Sequence, residues 1–268
     1  MNRFFVLVAI ALILGSVENA QAREETGFVT DGRKAAPVAR KYEGETPDIS
    51  IANARNATVV VYSHGTRRPK NRENCKKQGK QPPNAIMALE DDPDTYVFFL
   101  CSSAVDGNVK GSYIQKRKKE IQSVLAELVS IGVQPRNIFL SGHSAGAWSS
   151  LMSMDVVGET FNAAILFAPA CCGPRSEKNK YPIWRKEIRP AQVKQIVSVP
   201  RIEALVFAFE RDKFNRTREL TFLTEAFPNT VKIVTSSCGK HDDHHKNCSG
   251  MKLTTMIREY IEARKAGF

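Results

Sequence analysis

The pentapeptide Gly142-His143-Ser144-Ala145-Gly146 places a serine between two glycines. An apolar run, residues 138–140, ends one residue before it, and a helix-compatible stretch, residues 147–154, follows it. At a sharp turn from a strand into a helix, a serine can be held in a strained conformation that exposes its hydroxyl group, and flanking glycines let strand and helix pass closely. The pattern therefore predicts a nucleophilic serine. A glycine-rich turn whose serine caps the helix is the alternative.

A serine hydroxyl group is a weak nucleophile at neutral pH. It needs a base within hydrogen-bond reach and a carboxylate that orients this base. Asp212 follows a later apolar run, and His241 follows the last one, so both lie where a strand is predicted to end. Residues of the same types lie close by and remain alternatives: Glu210 for the carboxylate, and His244 and His245 for the base.

Short apolar runs rich in β-branched and aromatic residues recur along the chain and predict buried strands. They cover residues 58–62, 95–100, 138–140, 163–167, 204–209 and 231–234. Helix-compatible stretches alternate with them, which predicts an α/β protein with a mainly parallel sheet and helices on both faces. Such sheets bind ligands outside the carboxyl ends of their strands. The polar residues at those ends are His64-Gly65-Thr66, Ser144, Asp212 and His241.

One helix is predicted from the spacing of its apolar residues. Between residues 112 and 131 these residues recur three, four or seven positions apart, as on one face of a helix. We expect the basic run 116–119 to leave this face and point to water, and Gly132 to end the helix. Further helices are predicted near residues 85–89, 192–197, 220–227 and 253–264. Residues 23–56 are predicted to be irregular, with one short strand near residues 49–51.

The order of serine, carboxylate and histidine, each after a strand, resembles that of the α/β-hydrolase superfamily. The chain looks like an exported serine esterase or lipase of this superfamily. The resemblance runs from Val59 to the C-terminus and is carried by His64-Gly65, by the pentapeptide around Ser144, and by Asp212 and His241. It implies one α/β-hydrolase domain over residues 23–268. No first strands of the full fold are evident before Val59, which leaves open a version of the fold that lacks them.

The resemblance implies a role for each matching residue of the catalytic set. Ser144 would be the nucleophile, His241 the general base and then the general acid, and Asp212 the carboxylate that holds the imidazole. The reaction would be hydrolysis of a carboxylic ester through an acyl-enzyme on Ser144, as in an esterase, a lipase or a phospholipase A. The alternatives are a peptidase, a dienelactone-hydrolase-like enzyme, which would prefer a cysteine nucleophile, and a catalytically inactive binding protein.

The resemblance also implies an oxyanion hole. The backbone N–H of Ala145 would be one donor, and the N–H of Gly65 or Thr66 would be the second. We interpret His64 as a support for this loop and His143 as a packing or pocket residue.

We expect no cofactor and no metal. The loop 241–245 holds histidine and aspartate side chains that can bind metals, but a polar loop matches that pattern by chance.

The first 22 residues predict a secretory signal peptide. Arg3 precedes an apolar run of eleven residues, 4–14, and the small-x-small site Ala20-Gln21-Ala22 follows. A membrane span needs about 20 residues, so this run is too short to be one. The even count of six cysteines in such a chain predicts disulfides, with Cys238–Cys248 as the first choice. We expect an exported protein, periplasmic or secreted.

The chain is basic, with 39 Lys and Arg residues, 28 Asp and Glu residues and a net charge of +11. The clusters at residues 67–70, 76–77 and 116–119 are spread along the chain without interleaved aromatic residues. They are typical of solvated surface. Attraction to an anionic membrane surface is the functional alternative, with a lipid or small-molecule ester as substrate, and no nucleic-acid partner is expected.

Overall fold

A computed structural model of the chain describes residues 27–28, 51, 53–66, 80–102, 104–107, 111–171, 184–235 and 251–268. These residues form one seven-stranded sheet in the order β1-β3-β2-β4-β5-β6-β7. Strands β2 to β7 are parallel, and β1 pairs antiparallel with β3 at one edge. The predicted mainly parallel sheet is confirmed. The strands are β1 (Gly27–Phe28), β2 (Thr58–Ser63), β3 (Thr95–Leu100), β4 (Ile138–His143), β5 (Ala163–Phe167), β6 (Ala204–Ala208) and β7 (Val231–Thr235).

Helices cover both faces of the sheet, as predicted. Along β2 the side chains alternate, so that Val59 and Val61 join one apolar cluster and Val60 and Tyr62 join the other. Helices α2 to α5 contribute to the first cluster, and α1 and α6 to the second. None of the helices in the described residues is both long enough and apolar enough to cross a membrane. The helices are α1 (Asn84–Met87), α2 (Tyr113–Ser130), α3 (Ala145–Leu151), α4 (Arg189–Val197), α5 (Phe222–Ala226) and α6 (Met251–Ala266).

Helix α2 confirms the prediction made from its apolar spacing, and Gly132 follows its end at a φ of 97°. The prediction that the basic run 116–119 points to water is wrong at Arg117, which is only 2% exposed. Arg117 lies three residues after Ile114 and four before Ile121, and both of these are buried. Its side chain therefore projects from the same face as the apolar residues.

The lead-in segment differs from its prediction in two respects. Strand β1 precedes Val59 and pairs with Phe98 and Phe99 of β3. Two residues are too few to show strand periodicity, so the sequence gives no signal for β1. The predicted strand near residues 49–51 is wrong at Ile51, which lies outside any strand; the other two positions lie outside the described residues.

A cluster of charged and polar groups fastens α6 to the amino ends of the strands. The carboxylate of Glu203, just before β6, lies 2.9 Å from Nη1 of Arg264 on α6 and 2.5 Å from Nε of Arg201. Arg264 also donates from Nε to the side-chain oxygen of Asn162, just before β5, at 3.1 Å. This cluster lies at the end of the sheet opposite the predicted site.

Candidate active site

Ser144 occupies the turn between β4 and α3 with φ 55° and ψ −118°. This conformation is uncommon for a residue with a side chain and persists only where neighbouring structure imposes it. Here the Ser144 N–H donates to the Phe167 carbonyl at 3.0 Å. The Ser144 carbonyl accepts from the N–H groups of Trp148 and Ala170, at 2.9 and 3.2 Å. Three backbone bonds thus hold the turn from β5, from α3 and from the loop after β5.

The two glycines of the pentapeptide are required by close backbone approach. A Cβ atom on Gly146 would lie 1.9 Å from the Ser63 carbonyl oxygen, and one on Gly142 would lie 2.6 Å from the Ala147 nitrogen. Ser144 itself makes no capping hydrogen bond to α3 through its side chain. The described chain therefore has the geometry of a nucleophile elbow and not that of a capped glycine turn.

Asp212 follows β6 and is completely buried. Its Oδ1 accepts hydrogen bonds from the backbone N–H groups of Phe214 and Asn215, at 2.6 and 3.3 Å. The competing residue Glu210 is exposed. The structure thus holds one of the two carboxylates in a fixed position inside the protein and leaves the other at the surface.

Two hydrogen bonds join the Asp212 turn to the serine turn. The Asn215 side chain donates from Nδ2 to the Pro169 carbonyl at 2.9 Å. The next residue, Ala170, donates its N–H to the Ser144 carbonyl at 3.2 Å. Since β4, β5 and β6 are neighbours in the parallel sheet, their carboxyl ends meet at one edge. Ser144 and Asp212 therefore belong to one connected site.

The loop after β2 packs directly on the serine turn. A Cβ atom on Gly65 would lie 3.1 Å from Cβ of Ser144 and 2.8 Å from Nδ1 of His143. Only a residue without a side chain fits this space unless its neighbours move. The predicted oxyanion loop and the predicted nucleophile are therefore in contact.

Two cationic side chains donate hydrogen bonds to the predicted oxyanion loop, which is defined here as residues 64–66. Arg117 of α2 donates from Nη1 to the His64 carbonyl and from Nη2 to Thr66 Oγ1, both at 2.5 Å. Lys80 donates to the Gly65 carbonyl, also at 2.5 Å. Reasoning from the sequence did not assign either residue to the site. The sequence could have indicated that Arg117 is buried, because its spacing from Ile114 and Ile121 places it on the apolar face of α2.

The His64 ring is fixed as one neutral tautomer. Its Nε2 accepts from the Ser102 N–H at 3.0 Å, so the proton lies on Nδ1, which donates to the Gly65 carbonyl at 2.8 Å. Burial, together with the positive charge of Arg117, lowers the pKa of His64 well below its usual value. The two bonds of the ring thus join the backbone at Gly65 to the backbone at Ser102.

The predicted base and its alternatives, His241, His244 and His245, lie outside the described residues, as do Asp242 and the pair Cys238 and Cys248. Strand β7, after which the base is predicted, ends at Thr235. Cys101 and Cys171 are both disulfide-bonded. Within the described ranges, no group of three or more metal-binding side chains is present.

The chain has the α/β-hydrolase fold. It combines a mainly parallel sheet, helices on both faces of the sheet and a strained serine at the turn after β4. No protein-family model matches the chain, and no curated protein matches it by sequence. Solved structures are similar to it in fold.

Esterase 2 of the Planctomycetes species Thermogutta terrifontis shares 17% identity with this chain at a TM-score of 0.53, covering 87% of this chain and 90% of that one. Est1E from Butyrivibrio proteoclasticus shares 14% identity at a TM-score of 0.55, over 79% and 90%. A carbohydrate esterase from gut microbiota shares 13% at a TM-score of 0.57, over 80% and 88%. At these identities the likeness establishes the fold.

Proposed function

We propose that this protein is an exported serine hydrolase that cleaves carboxylic esters through an acyl-enzyme on Ser144. The observation that carries the proposal is the strained turn at Ser144, with the oxyanion loop packed on one side and the turn of the buried Asp212 linked to the other. Strain of this kind is concentrated at functional sites. The structural neighbours are esterases, which supports ester hydrolysis as the reaction.

In the proposed reaction the Ser144 oxygen attacks the ester carbonyl carbon while the His241 imidazole takes the hydroxyl proton. The tetrahedral intermediate then collapses. Its bond to the alcohol oxygen breaks, and the alcohol leaves with the proton from the imidazolium. Water repeats the sequence on the acyl-enzyme, which releases the carboxylic acid and regenerates the serine. Asp212 orients the imidazole and stabilises its positive charge.

The oxyanion of each tetrahedral intermediate would be stabilised by backbone donors at the elbow. Within the described part of the chain, the N–H groups of Gly65, Thr66 and Ala145 donate to no other residue. Ala145 directly follows the nucleophile, and Gly65 is packed against it. Loss of one such donor typically reduces kcat by about 100- to 1,000-fold.

Carboxylic esters are the substrate class that the neighbours favour. Thermogutta terrifontis esterase 2 has been obtained with butyrate bound, and Est1E with ferulic acid bound. For this chain we propose short-chain, feruloyl or acetyl esters and membrane lipids as the candidates, which an acyl-length profile separates.

Export is supported by the signal-like N-terminus and by the disulfide-bonded cysteines Cys101 and Cys171, since disulfides persist in oxidising compartments.

The test is hydrolysis of p-nitrophenyl esters from acetate to palmitate by residues 23–268. Ser144→Ala is expected to lose activity and fluorophosphonate labelling, while Ser198→Ala, at an exposed serine, keeps both. Thermogutta terrifontis esterase 2 has been obtained phosphonylated by sarin, so an organophosphorus probe suits this fold. A wild-type protein without hydrolysis or labelling would overturn the proposal and favour a binding role. Cleavage of peptide anilides alone would favour a peptidase.

A second pair of variants tests the carboxylate. Asp212→Asn keeps an oxygen that can accept the two backbone N–H groups, so the turn is expected to survive. Without the negative charge that orients the imidazole, kcat is expected to fall by up to about 10,000-fold. Glu210→Gln, at the exposed alternative, is the matched control. A larger loss in Glu210→Gln than in Asp212→Asn would reverse the assignment.

A further inference from the structure

The Arg117 guanidinium is buried, yet its contacts with the oxyanion loop are to neutral acceptors. It donates to the His64 carbonyl and to the Thr66 hydroxyl oxygen, two residues apart in a three-residue loop. Removing a guanidinium from water is costly, so a buried arginine is expected to donate to acceptors that the fold holds in place. The two donated bonds point to the loop that contacts Ser144.

The orientation of the loop N–H groups follows from these bonds. In a trans peptide the carbonyl and the N–H of the same unit point in opposite directions, and the described chain has no cis peptide bond. Because Arg117 holds the His64 carbonyl, the Gly65 N–H is directed away from Arg117. Because Lys80 and the His64 ring hold the Gly65 carbonyl, the Thr66 N–H is directed away from them.

We infer that Arg117 is a positioning residue of the oxyanion hole, which holds the His64–Gly65 peptide so that its N–H serves the reaction at Ser144. This inference rests on the proposed ester hydrolysis. Without Arg117, that peptide is free to rotate and turn a carbonyl oxygen toward the site, where it would repel the oxyanion instead of stabilising it.

An arginine suits this task better than a lysine. Its planar guanidinium presents several donors in a fixed fork, and two of them reach acceptors at both ends of the loop. The guanidinium also lies over the Tyr113 ring at 5.6 Å, which places it within range of a cation–π contact on its own helix. A lysine at the same position has one ammonium group and cannot bridge the two acceptors with the same geometry.

The experiment compares Arg117→Lys and Arg117→Met with the control Lys116→Met, at an exposed position on the same helix. In steady-state hydrolysis of p-nitrophenyl esters, we expect Arg117→Met to lower kcat by roughly 100-fold with little change in KM, as for a misplaced catalytic group. Arg117→Lys is expected to fall between Arg117→Met and the wild type. If Arg117→Met does not fold, the lysine variant carries the test. Wild-type kcat in either folded Arg117 variant would overturn the inference.

A second measurement does not depend on activity. The Ser102 N–H is buried and donates to the His64 ring, so its hydrogen-exchange rate reports whether the loop is held. We expect faster exchange at Ser102 in Arg117→Met and unchanged exchange in Lys116→Met. If the wild type hydrolyses no ester, the proposed function fails, and this exchange rate alone decides whether Arg117 orders the loop. Equal exchange in all three proteins would overturn the inference even if the enzyme is active.

Discussion

At the scale of single residues, the site depends on three positions where the packing leaves no room for a side chain. Ser144 adopts a conformation that costs about 1–3 kcal/mol, and three backbone hydrogen bonds from neighbouring elements hold it there. Gly142, Gly146 and Gly65 bring the surrounding backbone closer to this turn than any residue with a Cβ atom would allow. The strain at Ser144 therefore depends on glycines in three different segments.

Gly146→Ala tests this dependence. The added Cβ would lie 1.9 Å from the Ser63 carbonyl oxygen, so β2 or α3 must shift. We expect the free energy of unfolding in urea to fall by at least about 2 kcal/mol, with loss of ester hydrolysis. Gly107→Ala is the matched control, because among the described residues that are not its chain neighbours the nearest atom to its added Cβ is Ser112 Oγ, at 3.6 Å. Equal stability of both variants would show that the close approach is not required.

His64 gives a prediction for pH. Burial and Arg117 lower the pKa of His64 in the folded protein, and Lys80 adds a further positive charge, so the folded state keeps the ring neutral. The unfolded state takes up a proton below about pH 6.5. The stability associated with the neutral ring is therefore fully present above this pH and is lost as the pH falls below it.

Urea unfolding of the wild type and of His64→Gln measures this effect. The difference in unfolding free energy between the two proteins is expected to shrink by up to about 1.4 kcal/mol per pH unit below about pH 6.5. Above that pH the difference is expected to stay constant. A difference that is independent of pH throughout would mean that the folded protein accepts a proton on His64.

At the scale of secondary-structure elements, the spacing of apolar residues predicted those elements whose buried face it determines. The six parallel strands and helix α2 follow from apolar runs and from three- and four-residue spacing, since these patterns record which face is buried. The elbow was predicted because its glycines and its flanking strand and helix lie within one short segment. Asp212 was chosen by chain order, and its burial arises from the turn after β6.

Contacts between distant segments were not predictable in this way. Arg117 and the loop it binds are separated by 51 to 53 residues, and nothing in the basic run 116–119 distinguishes Arg117 by residue type. Lys80 reaches Gly65 from 15 residues further along the chain, and no sequence pattern links the two. β1 consists of two residues, and it forms only by pairing with Phe98 and Phe99 of β3. Each case is decided by tertiary packing and not by a local pattern.

The ion pairs that attach helix α6 to the sheet also act between secondary-structure elements. Glu203 has only 4% of its side chain exposed and accepts from both Arg264 and Arg201. Glu203→Gln would leave these two cations without their carboxylate, so the free energy of unfolding is expected to fall by about 2 kcal/mol. Because the cluster lies at the amino ends of the strands, kcat and KM are expected to stay unchanged.

Glu262→Gln is the control for this prediction. Its carboxylate also pairs with a lysine, Lys265, at 3.1 Å, but 70% of the Glu262 side chain is exposed. The change in stability there is expected to stay within about 0.5 kcal/mol. Urea unfolding of both variants makes the comparison. Similar losses in the two would show that burial adds nothing to the pair at Glu203.

At the scale of the whole molecule, the net charge of +11 is not all available to an external partner. Arg117, Lys80 and Arg264 bind acceptors within the fold. The remaining excess is spread along the sequence, so we expect any attraction to an anionic surface to be the sum of many separate charges. Such an attraction depends strongly on salt, since the Debye length falls from about 30 Å at 0.01 M to about 10 Å at 0.1 M.

Vesicle sedimentation tests whether this charge serves the proposed function. We propose that residues 23–268 bind vesicles containing phosphatidylglycerol at low ionic strength and release them as salt is added, because added ions screen the exposed charges. Vesicles of phosphatidylcholine alone are the control and are expected to bind far less. If the substrate is a membrane lipid, hydrolysis should decline with salt along with binding, while hydrolysis of p-nitrophenyl acetate stays constant. Binding that is equal on both vesicles, or indifferent to salt, would remove net charge as an argument for a lipid substrate and leave soluble esters as the better candidates.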